Sequence, residues 1–195
     1  MNSIEKKIIT LTEINKSKFY SLLFPLNNIS EVDKILVNIK NEYKNATHYC
    51  YAYIFEQTKR FNDDGEPNGT AGMPILNVLE NNNLDHVLAV VVRYFGGIKL
   101  GAGGLVRAYT NSVCDSLNKA SIVELINGFK IEIEFKYEKL KQIDFLLKDE
   151  HIVEKKFNNT IIYIFNTKDL DTINKIKNSI IQYKILSKLY VSTKK

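Results

Sequence analysis

The sequence has few of the residues that mark a secreted, metal-bound or membrane protein. Its 195 residues include two cysteines, Cys50 and Cys114, which match no metal-binding spacing, so we expect both to be reduced and buried. No apolar run is long enough to span a bilayer, and the N-terminus lacks the apolar segment of a signal peptide. These absences predict a cytoplasmic protein that does not enter a membrane.

Arginine and glycine are also scarce, and both are concentrated in one stretch. The chain has three arginines among 27 basic residues, and five of its nine glycines fall within residues 96–104. The pattern predicts a strand over 87–92, a loop over 96–104 and a helix that begins near Leu105. Arg93 and Arg107 flank this loop, so the chain's rarest cation is concentrated around it.

The glycine-rich loop predicts an anion site, because glycine adopts positive φ freely and lets other groups approach the backbone. The following helix start adds unpaired N–H donors and the positive end of the helix dipole. The alternative is that the glycines only permit a tight turn against the sheet. Under the first interpretation, the anion-binding or nucleic-acid-binding residues are Arg93, Gly96, Gly97, Lys99, Gly101, Gly103, Gly104 and Arg107.

Known phosphate fingerprints do not fit this loop. Ala102 and Gly103 stand where a Walker A loop requires Lys and Ser/Thr, and Val106 stands where the dinucleotide motif requires its third glycine. No nucleotide cofactor is predicted on this basis.

Residues 62–74 predict a structured surface loop, because Asp, Asn, Gly and Pro predominate there. Its carboxylates repel one another unless a metal or nearby cations neutralise them. The spacing fails the EF-hand pattern and no nearby histidine adds a ligand, so no metal is assigned. Pairing with the cations of the glycine loop is preferred, since it also explains where the arginines lie. The acidic-loop residues are Asp63, Asp64, Glu66 and Thr70.

His48 and Cys50 lie two apart on a predicted strand, residues 47–55, and so share one face. They could form a nucleophile and base, but no third group orients them at a readable spacing. A packed pair is the simpler interpretation, and no catalytic residue is assigned.

The first half is predicted to contain a pair of strands over residues 8–24 and a helix capped by Ser30. Pro74 suits the first turn of a second helix. In the helix that follows Ser30, the apolar residues predicted to be buried on one face are Val32, Ile35, Leu36, Ile39 and Tyr43. The helix after the glycine loop is predicted to bury Val106, Tyr109, Val113, Ser116, Leu117 and Ala120.

Asn127 and Gly128 are predicted to separate two domains, residues 1–126 and 127–195. The second domain is predicted to have β-α-β-β-α-β order, the ferredoxin-like split unit. Its elements are 129–135, 138–150, 151–157, 160–165, 169–181 and 184–191. Its second helix is predicted to bury Leu170, Ile173, Ile176 and Ile180. This domain holds the whole net charge of +5, with 14 Lys+Arg against 9 Asp+Glu, whereas residues 1–126 have 13 of each.

Two long motifs resemble the signature of the YigZ/IMPACT family. The first runs through Asp63-Asp64-Gly65-Glu66-Pro67 to Gly69-Thr70-Ala71-Gly72, and the second runs from Val91 to Tyr109 across the glycine loop. An upstream block, Ala46-Thr47-His48 and Cys50 to Tyr53, also resembles that family. The resemblance implies a ribosomal protein S5 domain 2-like fold, followed by a ferredoxin-like domain similar to the last domain of the translocation elongation factor.

The resemblance also implies a link to translation, which eukaryotic members of the family regulate, although we do not expect this chain to carry their accessory domain. We expect a non-enzymatic, translation-linked regulator that binds RNA, the ribosome or a nucleotide through the glycine loop. A protein partner in translation is a further expectation. The first alternative is a metal-dependent hydrolase or phosphotransferase that uses the acidic loop. The second is a protein-docking module.

Overall fold

The chain forms an α+β fold, and a computed structural model describes its residues 1–56 and 58–194. It divides into two compact units, Met1–Glu124 and Leu125–Thr193. The described residues form ten strands and five α-helices, with the strands arranged in two antiparallel five-stranded sheets. The α+β class predicted from the sequence is therefore confirmed.

The sheet of the first unit has the strand order β2-β3-β6-β4-β5. Its strands are β2 (Ile8–Ile14), β3 (Ser17–Pro25), β4 (His48–Phe55), β5 (Thr58–Asn62) and β6 (Val87–Tyr94). The strands predicted over 8–24 and 47–55 are confirmed. Strand β5 was not predicted, because all of its residues are exposed at the sheet edge and so give no alternating apolar pattern.

Helices cover both faces of this sheet. Helix α1 (Glu31–Glu42) packs Val32 and Ile39 on the face that carries Leu88, Val90 and Val92. Helices α2 (Gly72–Asn81) and α3 (Gly101–Leu117) cover the opposite face, with Val87, Ala89 and Val91. Because β6 is buried on both sides, it reads as a continuous apolar run rather than an alternating one.

Three details of these helices differ from the sequence-based prediction. Helix α3 begins at Gly101 rather than near Leu105, because its buried face packs on the sheet and outweighs the low helix propensity of glycine. Val106, which was predicted to be buried, is exposed, and the neighbouring Leu105 is buried instead. Ser30 precedes α1 as predicted, but its side chain makes no capping hydrogen bond.

The second unit follows the predicted element order. Strand β7 (Ile122–Phe135) leads to a 3-10 turn at Tyr137–Lys139, α4 (Leu140–Leu146), β8 (His151–Phe157) and β9 (Ile161–Thr167), then to α5 (Asp171–Ile176), a 3-10 turn at Lys177–Ser179, and β10 (Gln182–Lys194). The sheet order is β8-β9-β7-β10. Strand β1 (Asn2–Ile4) pairs with the first residues of β7.

Asn127 and Gly128 do not interrupt the backbone as predicted, because both lie inside the continuous strand β7. A Cβ on Gly128 would lie 2.3 Å from Val191 Cγ2 and 2.6 Å from the Thr167 carbonyl oxygen. This glycine therefore allows a close approach within the sheet. Leu170 is 39% exposed rather than buried, because α5 begins only after it, at Asp171.

No helix in the described part of the chain is long and apolar enough to cross a membrane. Neither cysteine is in a disulfide; Cys50 is fully buried, whereas Cys114 is only half-buried.

Candidate functional site

Arg93 and Glu66 form a buried ion pair that joins the strand before the glycine loop to the acidic loop. The Arg93 Nη1 atom lies 2.6 Å from Glu66 Oε1, and the two side chains are 6% and 3% exposed. Arg93 pairs with Phe19 on β3 and with His48 on β4, so it lies in a row across the sheet. Its guanidinium carbon is 5.4 Å from the Phe19 ring centroid and 5.5 Å from the Phe95 ring centroid. The guanidinium is thus held between a carboxylate and two aromatic rings.

Tyr109 of α3 completes this buried network. Its hydroxyl donates to the same Glu66 oxygen at 2.7 Å, and Cys50 Sγ lies 3.3 Å from the Tyr109 hydroxyl oxygen. Burial raises the pKa of the Tyr109 phenol and the pKa of the Cys50 thiol, with neighbouring Glu66 adding to both shifts. Both groups therefore stay protonated at neutral pH. A thiol held this way is a packing group rather than a nucleophile.

His48 lies at the rim of the network. Its Nδ1 is 2.8 Å from the Asp64 carbonyl oxygen, which can only accept, so Nδ1 carries the proton. This leaves Nε2 facing Glu66 Oε2 at 3.8 Å. Among the described residues, no hydrogen bond joins His48 to Cys50, which instead contacts Tyr109. The two residues share a strand face without forming a nucleophile and base.

The other acidic-loop carboxylates accept backbone hydrogen bonds. Asp63 accepts from the amides of Gly69, Ala71 and Gly72 at 2.8–3.0 Å. These contacts hold the loop against the start of α2 in the manner of a helix cap. Asp64 Oδ2 accepts from the Tyr49 amide at 2.6 Å.

Thr70 also bonds within the loop, since its hydroxyl donates to the Pro67 carbonyl at 2.6 Å. Within residues 1–56 and 58–194, no three His, Cys, Asp or Glu side chains are grouped so that they could hold a metal ion.

The glycine loop divides into an anchored and an exposed part. Gly96 donates its amide to the Ser17 hydroxyl at 3.1 Å, and a Cβ there would lie 2.0 Å from the backbone carbon of Lys16. Gly97 has φ +85°, with nothing within 4 Å of a Cβ. Residues 97–99 are exposed, and their amides donate to no acceptor in the described part of the chain.

The start of α3 carries positive charge where a helix favours negative charge. Its first turn contains no acidic residue, and Lys99 lies just before it. Arg107 Nη1 lies 3.9 Å from where a Cβ on Gly103 would be, so the guanidinium extends back over the first turn. Lys99 and Arg107 are exposed, and neither pairs with a carboxylate of any described residue. Two cations therefore adjoin the positive end of the helix dipole without a counterion from the protein.

A cleft of about 260 Å³ opens beside this helix start. It lies between the β2–β3 turn and the exposed side of α3, and its lining residues are Ile14, Asn15, Leu100, Gly104, Arg107, Ala108 and Asn111.

The three predicted cations thus have two different environments. Arg93 turns inward to Glu66, whereas Lys99 and Arg107 remain at the surface near the exposed amides. Sequence reasoning did not single out Tyr109 as the partner of Glu66, nor Asn111 as a cleft residue. Asn111 could have been found, because it lies four residues after Arg107 on the same helix face.

Comparison with known proteins identifies the family. Residues 15–117 match the Impact N-terminal domain. The IMPACT family member YvyE of Bacillus subtilis is 42% identical over 151 residues, which are 72% of this chain and 70% of that protein. The IMPACT family member YigZ of Escherichia coli is 34% identical over 145 residues, covering 72% and 71% of the two chains. A solved crystal structure of a hypothetical protein is 28% identical, with a TM-score of 0.65 over 95% of this chain and 97% of that one.

The matched domain contains both loops and the whole of α3, so the ion pair, the glycine loop and every cleft residue except Ile14 lie within it. The resemblance predicted from the two motifs is therefore confirmed, and this chain belongs to the IMPACT family.

Proposed function

We propose that this protein is a translation-linked regulator that binds a phosphate-bearing ligand, which is RNA, the ribosome surface or a nucleotide, at the start of α3. The observation that carries the proposal is the exposed pair Lys99 and Arg107 beside unpaired amides at a helix N-terminus. A phosphate would supply the negative charge that this end of the helix lacks. The link to translation is what membership of the IMPACT family implies.

Within this proposal, the residues that touch the ligand are Lys99, Arg107 and the amides of residues 97–103. Arg93 has a different task, because its charge is already used by Glu66. The pair holds the acidic loop and the end of β6 together, and so fixes where the glycine loop begins. Gly96 supports the same geometry through its contact with Ser17. Arg93 and Gly96 therefore position the loop, and Lys99 and Arg107 bind.

We also propose the finer domain assignment, a ribosomal protein S5 domain 2-like domain over 1–126 and a ferredoxin-like domain over 127–195. The β-α-β-β-α-β order and the sheet order β8-β9-β7-β10 support the second assignment. The excess of lysines in residues 127–195 would strengthen attraction to a polyanion.

The test is binding of labelled RNA and of ribosomes at about 50 mM and about 200 mM salt. Arg107→Ala should weaken binding at both concentrations and lower the slope of log affinity against log salt by about 1. The matched control is Arg60→Ala, which removes an exposed arginine on β5, away from the glycine loop. Weak, salt-independent binding by the wild-type protein, or equal losses in the two variants, would refute the proposal.

A further inference from the structure

We propose that the cleft beside α3 accepts an unpaired nucleobase, so that the ligand of this site is a single nucleotide unit with its phosphate at the helix start. This inference rests on the proposed function and extends it, because it names the part of the ligand that lies next to the phosphate. The cleft and the phosphate site share Arg107 and adjoin each other along α3.

The cleft is lined by both polar and apolar side chains, which match the polar edge and the apolar face of a nucleobase. Asn15 and Asn111 each carry a carboxamide, which offers both a donor and an acceptor, as the edge of a base does. Both residues are exposed, and within the described residues neither carboxamide forms a hydrogen bond to protein. Ile14 and Leu100 supply apolar contact for the face of a ring, and both are only partly buried.

The size of the cleft favours one ring system rather than a larger ligand. Its volume of about 260 Å³ is just below the usual range of roughly 300–1,000 Å³ for drug-sized ligands. One glycine of the lining keeps the cleft open. A Cβ on Gly104 would lie 3.0 Å from Leu100 Cβ, so any larger residue there would press on the wall of the cleft. A base in a duplex is stacked and paired, so only an unpaired base could enter.

The turn between β2 and β3 brings Asn15 to the cleft. Asn15 and Lys16 both have positive φ, at 47° and 65°, as a two-residue hairpin turn requires. The Lys16 backbone is in turn packed against Gly96, so the glycine loop and this turn are held together. The cleft is thus formed by segments that the fold fixes independently of a ligand.

The experiment measures binding of the full chain to three labelled oligonucleotides of about 12 residues, a length within the range that one small domain covers. The three are single-stranded RNA, the same sequence as a duplex, and an abasic strand with the same number of phosphates. Single-stranded RNA should bind tightest. Asn111→Ala should weaken its binding by about three- to tenfold, the value of a lost hydrogen-bond pair, and leave the abasic strand unaffected.

The matched control is Asn38→Ala on the exposed side of α1, which should change none of the three affinities. Competition by free mononucleotides then shows whether the bound base belongs to a free nucleotide or to a strand. Displacement of the RNA points to a free nucleotide, and no displacement points to a base within a strand. Equal binding of the abasic and single-stranded forms, with no effect of Asn111→Ala, would overturn the base cleft while leaving the phosphate site standing. No binding by any of the three would overturn both.

Discussion

Arg93 Nη1 lies 2.6 Å from Glu66 Oε1 in a region from which water is almost excluded. The pair connects the acidic loop to the end of strand β6, and its two residues are 27 positions apart in the chain. Its geometry gives the two family motifs a common physical purpose, since one supplies the carboxylate and the other the guanidinium. The same oxygen also accepts from Tyr109, so one atom ties α3 to the acidic loop and to β6.

Removing one partner of this pair should destabilise the protein strongly. We expect Glu66→Ala to lower the free energy of unfolding by about 3–5 kcal/mol, because it leaves the Arg93 charge buried without a partner. Tyr109→Phe should lower the free energy of unfolding by about 1 kcal/mol, since Glu66 still forms its ion pair with Arg93. Urea unfolding measures both. The double variant Glu66→Leu with Arg93→Met should lose less stability than the sum of the losses measured for Glu66→Leu alone and Arg93→Met alone, and strict additivity would contradict the pairing.

The carboxylate of Asp63 should matter for folding rather than for metal binding. It accepts three amides around the start of α2, so Asp63→Ala should lower the free energy of unfolding by about 2 kcal/mol. Adding magnesium, manganese or zinc should leave the thermal midpoint unchanged, because each acidic-loop carboxylate already has a partner. A midpoint that rises with one of these ions, and no longer rises in Asp64→Asn, would favour the metal-dependent hydrolase instead.

Gly96 and Gly97 should respond very differently to alanine. Gly96→Ala forces a Cβ into the Lys16 backbone and should destabilise the protein by about 3 kcal/mol or more. Gly97→Ala meets no neighbour and should cost only the strain of a positive φ, about 1–2 kcal/mol. Thermal unfolding of the two variants provides the comparison. A larger loss for Gly97→Ala would mean that the anchored and exposed parts of the loop have been assigned the wrong way round.

Stability should fall as the pH rises above about 9. The pKa values of Cys50 and Tyr109 are raised in the folded state from ordinary values of 9.0 and 10.0. The unfolded chain therefore loses these protons first, and above pH 9 ionisation favours unfolding. Below pH 9 both groups are protonated in both states and their contribution is fully present.

Urea unfolding between pH 8 and pH 11 measures this slope. Cys50→Ala should flatten the first part of the decline, from pH 9, whatever its effect on stability at pH 8. Cys114→Ala is the matched control: its thiol is half-buried and its pKa is raised less far, so it should flatten the decline less. Identical slopes in the two variants would show that Cys50 ionises freely in the folded protein.

Much of the fold follows from local patterns in the sequence. The stripe that includes Val32 and Ile39 has helical spacing, and β6 is an uninterrupted apolar run, so both elements could be assigned from their neighbours in the chain. The two motifs also sufficed to identify the family. What failed were the positions where packing overrides local preference: Gly101 lies in a helix despite its low propensity, and Gly128 lies within a strand.

The sequence by itself determined that carboxylates would be concentrated in one loop and cations in and beside another, because composition and spacing are properties of the chain. Only the tertiary structure decided which charges neutralise each other and which remain available. Arg93 and Arg107 are alike in sequence terms, but one lies at the buried end of a central strand and the other on the exposed side of a helix. Because Arg93 is buried, its charge needs a carboxylate partner, whereas water solvates the charge of Arg107. No local sequence pattern encodes that difference.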